Sequence, residues 1–206
     1  MVDVSRETLT PIFGDLTDQA IEYGQILATT AVERGLIGPR EVDRIWERHI
    51  FNSLPLITLM PSSATVIDIG SGAGLPGIVL GLARPDLQIT LLEPLERRAN
   101  FLLDLITQLG LVNLQVVRGR AEEHKSRYQI VTARAVAPLP KLLQISWRLI
   151  APGGKLLALK GENAESELAA APMSRFNPSK AEVILAFYPL LPEQPPVRVI
   201  SIEKAG

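Results

Sequence analysis

The chain has 206 residues, of which 47% are hydrophobic and 21% charged, and its formal net charge at pH 7 is -1. This length predicts a single domain that buries one substantial core. The near-neutral charge excludes a protein that coats nucleic acid through bulk charge, although it permits a local basic patch.

Several kinds of site and location are also excluded. Cysteine is absent, which excludes disulfides, thiol catalysis and thiolate metal sites. The two histidines, His49 and His124, have no ligand spacing around them, and we predict no metal site. Residues 1–3 do not begin a secretory signal, and no apolar stretch free of charge and proline reaches the roughly 20 residues of a bilayer span. We therefore expect a cytoplasmic protein without membrane contact.

Two amphipathic segments come first in the chain. Apolar residues recur near helical spacing over residues 16–34 and again over residues 39–60, which predicts two helices. We expect residues 1–62 to form a helical extension packed on a core domain of residues 63–206. The two parts are expected to make a single structural unit.

From residue 64, short β-branched runs alternate with helical patterns. Strand and helix in alternation predict a mostly parallel sheet with helices on both faces. Only "LPEQPP" separates the runs 181–190 and 197–204, so we expect an antiparallel hairpin there. The other predicted strands cover residues 64–69, 87–93, 113–119, 128–136 and 154–161, and the helices between them cover 75–84, 95–110, 137–150 and 163–171.

The stretch "VIDIGSGAGLPG", residues 66–77, is predicted to be a strand, a glycine turn and the start of a helix. Glycine permits positive φ and lets a ligand approach the main chain, while the helix start offers unpaired amide donors. Pro76 suits a first helical turn. We predict a nucleotide-type pocket, with a tight turn that binds nothing as the alternative.

Two acids indicate which ligand this pocket takes. Glu93 ends the next predicted strand nineteen residues after Gly74, where a carboxylate can accept hydrogen bonds from ribose hydroxyls. Gly72, Gly74 and Gly77 also satisfy the dinucleotide pattern, so the spacing does not name the cofactor. Asp68, at the end of the first strand, favours S-adenosylmethionine, which carries an ammonium and a sulfonium where a dinucleotide carries pyrophosphate. The roughly sixty residues before the sheet are also few for the separate substrate domain of a dehydrogenase.

Six short motifs in a fixed order carry a family resemblance. They are "ERHI" (47–50), "DIGSGAGLPGI" (68–78), "EPLERRANFL" (93–102), "RAEE" (120–123), "ARAVAPL" (133–139) and "LKG" (159–161). Together they resemble the bacterial small-subunit ribosomal RNA guanine-N(7) methyltransferases, also called glucose-inhibited division protein B. The resemblance spans most of the chain.

The resemblance implies a fold and a reaction. The fold is that of the class I S-adenosylmethionine-dependent methyltransferases. It is an α/β, Rossmann-like fold with a mostly parallel seven-stranded sheet, an antiparallel carboxyl-terminal hairpin and amino-terminal helices. The reaction is methyl transfer from S-adenosylmethionine to ring nitrogen 7 of one guanine of 16S ribosomal RNA, in the 530-loop region (position 527 in conventional ribosomal RNA numbering).

The resemblance also implies which residues bind the cofactor. Ala121 and Glu122 are expected to flank the adenine, and Arg134 to lie where cofactor and substrate meet. Together with the acids and glycines above, the predicted cofactor-binding set is Asp68, Gly70, Gly72, Gly74, Leu75, Glu93, Pro94, Leu95, Ala121, Glu122 and Arg134.

The implied chemistry needs few catalytic groups. Ring nitrogen 7 of guanine has a free lone pair and no proton, so neither a general base nor a metal is required, and catalysis rests on positioning. Donors to the guanine carbonyl beside this nitrogen would stabilise the charge that develops on the ring. We predict Arg134 and Lys160 as these catalytic residues, because they end two adjacent predicted strands. The alternative for each is an ordinary ion pair with an acid.

The expected partner is 16S ribosomal RNA or the small ribosomal subunit, bound by a monomer. We predict Lys160 and Arg198 as RNA-binding residues, although the segment "PPVRVISIEKAG" lacks the basic tail of many relatives. Asn52 also stands where relatives more often carry an acid. His49 is expected to pack between the amino-terminal helix and the sheet. A further basic group surrounds the loop after the third strand and comprises Arg118, Arg120, Lys125 and Arg127.

Three other functions stay open from the sequence. The first is a methyltransferase acting on a small molecule or a protein. The second is an NAD-dependent oxidoreductase, since the glycine pattern allows a dinucleotide. The third is a non-catalytic, ribosome-associated binder that keeps the cofactor pocket for stability.

Overall fold

The computed structural model describes residues 4–206, so the first three residues of the predicted 1–62 extension lie outside the described residues. Three helices begin the described chain: α1 (Arg6–Phe13), α2 (Thr17–Ala28) and α3 (Thr30–Glu33). Helix α1 was not predicted from the sequence. The predicted helix over residues 16–34 is interrupted at Thr29, where φ is -119° and ψ is -88°.

The predicted helix over residues 39–60 is helical but is not an α-helix. It consists of a 3₁₀ segment (Pro39–Arg44), a π-helical segment (Ile45–Ile50) and a second 3₁₀ segment (Phe51–Leu59). Pro55 lies inside the last of these and has no amide hydrogen, so a regular α-helical hydrogen bond cannot form there. The apolar pattern still reports burial correctly, because this segment packs into the core.

Alternating strands and helices follow, as the sequence predicts. No helix lies between the third and fourth strands of the described chain, and the fifth strand begins at Ile150 rather than at residue 154. The elements are β1 (Thr65–Ile69), α4 (Gly77–Ala83), β2 (Gln88–Glu93), α5 (Glu96–Gln108), β3 (Leu114–Arg118), β4 (Tyr128–Arg134), α6 (Leu139–Ser146), β5 (Ile150–Lys160), α7 (Ala164–Ala169), α8 (Met173–Phe176), β6 (Lys180–Ala186) and β7 (Val197–Glu203).

The seven strands form one sheet in the order β3-β2-β1-β4-β5-β7-β6. The pairs from β3 to β5 are parallel, whereas β7 is antiparallel to both β5 and β6. This arrangement confirms the predicted class I methyltransferase fold with its antiparallel carboxyl-terminal pair. The strand order reverses between β1 and β4, and ligands of such sheets bind beyond the carboxyl ends of the strands at this point.

Apolar side chains cover both faces of the sheet. Strand residues alternate between the faces, so Val66 packs into one cluster and Ile67 into the other. The first cluster also contains Leu27 of α2 and Leu54, together with side chains of α4 and α5. The amino-terminal segments therefore share a core with one face of the sheet and are held beside its carboxyl edge. No helix among residues 4–206 is long and apolar enough to cross a bilayer.

Candidate active site

The turn between β1 and α4 has the backbone that the glycines predict. Gly70, Gly72 and Gly74 have φ values of +67°, +58° and +97°, in the region that glycine adopts without steric cost. A Cβ atom on Gly72 would have a single neighbour within 4 Å, the Gly70 carbonyl oxygen at 3.8 Å. The space over Gly72 is therefore open to a ligand.

Glu93 fixes the glycine turn to the end of β2. Its side chain is buried, with 1% exposed, and its Oε2 accepts a hydrogen bond of 3.0 Å from the Gly72 amide. Its Oε1 accepts from the Leu95 amide, also at 3.0 Å. Each oxygen keeps a further lone pair for a ligand hydroxyl. Pro94 and Leu95 follow directly, and Leu95 presents a 54% exposed apolar surface beside this carboxylate.

Asp68 lies behind the glycine turn and is fully buried. Its Oδ2 accepts a 3.1 Å hydrogen bond from the Gly77 amide, and its Oδ1 has no hydrogen-bond partner among the described residues. Burial raises the pKa of Asp68 to about 7. The site thus contains a buried acceptor that the described protein atoms leave unpaired.

The raised pKa of Asp68 predicts a pH dependence of stability. Its folded-state pKa of about 7 lies above the ordinary 3.8, so protonated Asp68 stabilises the fold below pH 3.8, and this contribution is lost as the pH rises through about 7. Urea unfolding of the wild type and Asp68→Asn at pH 5 and pH 8 measures it. We expect the free energy of unfolding of the wild type to fall by roughly 2–3 kcal/mol, relative to that of the variant, between pH 5 and pH 8.

Asp86 provides the matched control for this measurement. Its hydrogen bonds with Arg84 lower its pKa to about 2, so it is ionised at both pH values. The difference between the wild type and Asp86→Asn is therefore expected to be the same at pH 5 and pH 8. If the difference in stability between the wild type and Asp68→Asn is also the same at pH 5 and pH 8, Asp68 does not titrate in this range.

A residue of α2 also supports the glycine turn. The hydroxyl of Tyr23 donates a 3.0 Å hydrogen bond to the Ala73 carbonyl, and Tyr23 is completely buried. Burial raises the pKa of Tyr23, so the hydroxyl keeps its proton and remains a donor. No local sequence pattern predicts this contact, because it joins positions fifty residues apart.

The loop after β3 holds the next predicted cofactor residues. Ala121 is buried in the same cluster as Leu92, near the end of β2, whereas Glu122 is exposed. The Arg148 guanidinium donates to the Ala121 carbonyl at 3.2 Å and also to the His124 carbonyl. These hydrogen bonds fix the loop in the absence of a helix, and the roles of Ala121 and Glu122 beside the adenine stay predictions.

The residues after β4 lie between the glycine turn and the cavity described below. Ala135 has φ +55°, which is uncommon for a residue other than glycine and marks local strain. Val136 then lies over the glycine turn, where its Cγ2 is 3.0 Å from the position that a Cβ on Gly70 would take. Sequence reasoning missed Ala135, because nothing in "ARAVAPL" signals a positive φ.

Arg134 ends β4 and points toward the amino-terminal segment. Its Nη1 donates to the His49 carbonyl at 3.2 Å, and its Nη2 donates to the Arg48 carbonyl at 3.1 Å and to His49 Nδ1 at 2.8 Å. Within residues 4–206 it forms no ion pair, so the surface ion pair considered as the alternative is not what the structure shows. Burial lowers its pKa. A partly buried guanidinium that forms no ion pair can attract an electron-rich ligand group.

Lys160 and Arg198, by contrast, are both paired with acids of α7. Lys160 Nζ donates to Glu167 Oε2 at 2.7 Å and to the Ala137 carbonyl at 2.9 Å. Arg198 Nε donates to Glu165 Oε1 at 3.3 Å. The two bases are opposite each other on β5 and β7. The ion-pair alternative therefore describes both residues, while their roles toward RNA stay predictions.

A cavity of about 680 Å³ opens at the carboxyl ends of β4 and β5. This volume lies within the range of about 300–1,000 Å³ that is usual for small-ligand sites. Arg48 and Asn52 bring the amino-terminal segment into its wall, a role the sequence did not reveal. The other lining residues are Arg134, Ala135, Val136, Ala137, Pro138, Leu159, Lys160, Gly161, Glu167 and Val197.

Comparison with known proteins shows to which family the chain belongs. A family model described as rRNA small subunit methyltransferase G, GidB, matches residues 16–188. The chain belongs to this family. It is 54% identical over 186 residues to the ribosomal RNA small subunit methyltransferase G of Thermobifida fusca, covering 88% of this chain and 77% of that protein. The protein of the same description from Salinispora tropica is 47% identical over 204 residues, covering 94% and 84%.

Solved structures show the same fold at low identity. A SAM-dependent methyltransferase from Aquifex aeolicus superposes with a TM-score of 0.58 at 14% identity, covering 80% of this chain and 95% of that chain. The precorrin-6y C5,15-methyltransferase of Geobacter metallireducens gives 0.56 at 17% identity, covering 82% and 90%. These likenesses confirm the fold class, and the GidB relatives confirm the family resemblance seen in the motifs.

Proposed function

We propose that this GidB-family protein transfers a methyl group from S-adenosylmethionine to ring nitrogen 7 of one guanine of 16S ribosomal RNA. One observation carries the proposal. In a chain of this family, a cavity of about 680 Å³ with Arg134 in its wall, large enough to admit a base, adjoins an open glycine turn, and Val136 borders both. A base in the cavity would thus meet a cofactor lying on the turn.

The residues at the turn fit S-adenosylmethionine. The open space over Gly72 admits the cofactor backbone, and the unpaired Oδ1 of Asp68 supplies an acceptor for a cationic group. Glu93 is held in place to accept from the ribose. When bound, S-adenosylmethionine supplies an electrophilic methyl group on a sulfonium. Around it we place Gly70, Gly74, Leu75, Pro94, Leu95, Ala121, Glu122 and Arg134.

Asp68 counts against the dinucleotide alternative, whereas Glu93 does not, because a carboxylate at that position can serve the ribose of either cofactor. The anionic pyrophosphate of NAD would lie beside the buried Asp68 carboxyl group. The ionised form of this group would repel the pyrophosphate in a partly desolvated site. The methyltransferase assignment therefore fits the local charges better than an oxidoreductase does.

Arg134 is the residue that we place closest to the base. Guanine presents O6 beside nitrogen 7, and a guanidinium donating to O6 leaves the nitrogen lone pair free to accept the methyl group. Arg134 forms no ion pair within the described chain, although the charges of Glu41 and Asp68 favour its ionised form. Lys160 contributes more indirectly, since its ammonium is shared with Glu167 and the Ala137 carbonyl. Neither residue needs to remove a proton.

We also propose the setting in which the reaction takes place. The protein acts as a cytoplasmic monomer on 16S ribosomal RNA or the small ribosomal subunit, with Lys160 and Arg198 facing the RNA. Residues 1–62 serve as an extension of the methyltransferase domain, residues 63–206. Contacts to RNA phosphates predict that binding weakens as the salt concentration rises.

The test is transfer of tritiated methyl groups from S-adenosylmethionine to small ribosomal subunits purified from a strain that lacks this protein. Cleavage mapping of 7-methylguanine is expected to place the label at one guanine in the 530-loop region. Cofactor binding with no label in RNA would replace the proposal with another methyl acceptor or with a non-catalytic binder. A thermal shift with NAD and none with S-adenosylmethionine would favour the oxidoreductase.

A further inference from the structure

The guanidinium of Arg134 is oriented by a segment 85 residues away in the chain. Backbone carbonyls of Arg48 and His49 fix two of its N–H groups, and the His49 imidazole takes the shortest of the three hydrogen bonds, at 2.8 Å. A carbonyl oxygen accepts at any pH, whereas an imidazole nitrogen accepts only when it carries no proton. Among the described residues, His49 is thus the one hydrogen-bond partner of Arg134 whose bonding depends on protonation.

The hydrogen bonds of His49 determine its tautomer. Arg134 has donors and no acceptor, so Nδ1 of His49 must be the unprotonated nitrogen. The proton then lies on Nε2, which is 3.2 Å from Oε2 of Glu41 and donates to it. Glu41 therefore selects the tautomer that presents a lone pair to Arg134. The imidazole is mostly buried, with 12% of its side chain exposed, so water does not readily replace either contact.

We propose that His49, held in one tautomer by Glu41, is a positioning residue that aims Arg134 into the substrate cavity. This inference rests on the proposed function, because it assigns Arg134 to the guanine. It goes beyond that function by making the amino-terminal segment part of the catalytic machinery. His49 itself does not line the cavity.

Protonation of His49 would break its hydrogen bond with Arg134. A proton on Nδ1 removes the acceptor and places a second cation 2.8 Å from the Arg134 guanidinium. The charged and titratable groups around the pair are Glu41 and Arg48 of the same segment, Asp68 at the end of β1 and Tyr23 of α2. Burial lowers the pKa of His49, as do the charges of Arg134 and Arg48, against an opposing effect of Glu41. Activity is therefore expected to fall on the acid side as His49 becomes charged.

Two substitutions separate positioning from simple packing. His49→Ala removes the acceptor, whereas the side-chain oxygen of His49→Asn can replace Nδ1 as an acceptor that does not titrate. We expect His49→Ala to lower kcat for methyl transfer at pH 8 by about tenfold or more, with the KM for S-adenosylmethionine changed less than about threefold. We expect His49→Asn to recover most of kcat. At saturating S-adenosylmethionine, which separates kcat from any effect of Asp68 protonation on cofactor binding, we expect this variant to lose the acid-side decline of the wild type.

His124→Asn is the matched control. His124 is the other histidine of the chain and bonds the Tyr128 hydroxyl at 2.9 Å, away from Arg134. Burial and the Arg148 charge lower its pKa too. This variant is expected to keep both the wild-type kcat and the wild-type decline of kcat at acid pH, which is the acid limb of the pH profile. Glu41→Gln removes the charge of Glu41, and Glu47→Gln is its control. Comparison of their kcat values and of their pH profiles tests whether Glu41 orients His49.

The outcomes distinguish this inference from the proposed function. If the wild type labels no guanine, the proposed function fails. If the wild type labels its guanine and His49→Asn retains the same acid limb, the positioning role is wrong. Equal activity of folded His49→Ala and the wild type would also overturn it. Should His49→Ala fail to fold, the pH profile of His49→Asn still decides the question.

Discussion

Replacement of Arg134 by alanine is expected to lower the rate of methyl transfer by about a hundredfold or more, as removal of one donor from a charge-stabilising site does. The expectation follows from the site, where Arg134 lines the cavity as a guanidinium with no ion pair inside the described chain. Single-turnover transfer of labelled methyl at saturating S-adenosylmethionine isolates this step. RNA affinity, measured by filter binding, is expected to change less than about threefold, since a single phosphate or base contact contributes little of the total.

Arg175→Ala controls for the loss of one positive charge. Arg175 is exposed on α8 and lines no part of the cavity. Its removal is expected to leave the transfer rate unchanged. Circular dichroism and urea unfolding check that Arg134→Ala keeps the fold, because this substitution removes one donor from each of the Arg48 and His49 carbonyls. Wild-type turnover of folded Arg134→Ala would remove Arg134 from the reaction.

Gly72→Val is expected to abolish binding of S-adenosylmethionine. The new side chain would extend into the open space over the turn, where the only neighbour within 4 Å among the described residues is the Gly70 carbonyl. The expected loss in calorimetric affinity is at least about a hundredfold, or about 2.7 kcal/mol. The left-handed backbone at this position, with φ +58°, adds about 1–2 kcal/mol of destabilisation.

Gly110→Val separates these two effects. Gly110 has φ +63° directly after α5, and a Cβ atom there would meet nothing within 4 Å. The variant therefore carries similar backbone strain at a place remote from the glycine turn. We expect both variants to lose similar stability in urea and only Gly72→Val to lose the cofactor. Unchanged binding by Gly72→Val would show that no ligand lies on this turn.

The sheet was predictable because its signals are local. Four of the seven β-branched runs are followed by a turn and a helical pattern, and these features lie within a few residues of each other. The short connection after residues 181–190 likewise forces a hairpin rather than a crossover, and β6 and β7 are antiparallel as expected. The glycine turn and the acids at the ends of β1 and β2 were recognisable for the same reason.

The remaining features depend on contacts that are distant in sequence. The hydrogen bonds of Arg134 to the 45–50 segment and of Tyr23 to the glycine turn join parts of the chain that no local pattern relates. The 3₁₀ and π geometry of residues 39–59 is not signalled by their helical periodicity, and Pro55 accounts for the loss of an α-helical hydrogen bond only in the last of the three segments. The positive φ of Ala135 is imposed by its surroundings, since alanine has no preference for it.

The position of β7 has a consequence for biosynthesis. This strand follows β6 in the chain but lies between β5 and β6 in the sheet. While the polypeptide is emerging, β5 therefore has a bare edge, and β6 has no place to dock until β7 has been made. Unpaired strand edges favour intermolecular pairing in nascent chains. Lys160 meets its cross-strand neighbour Arg198 only when β7 inserts, so this wall of the cavity is completed late.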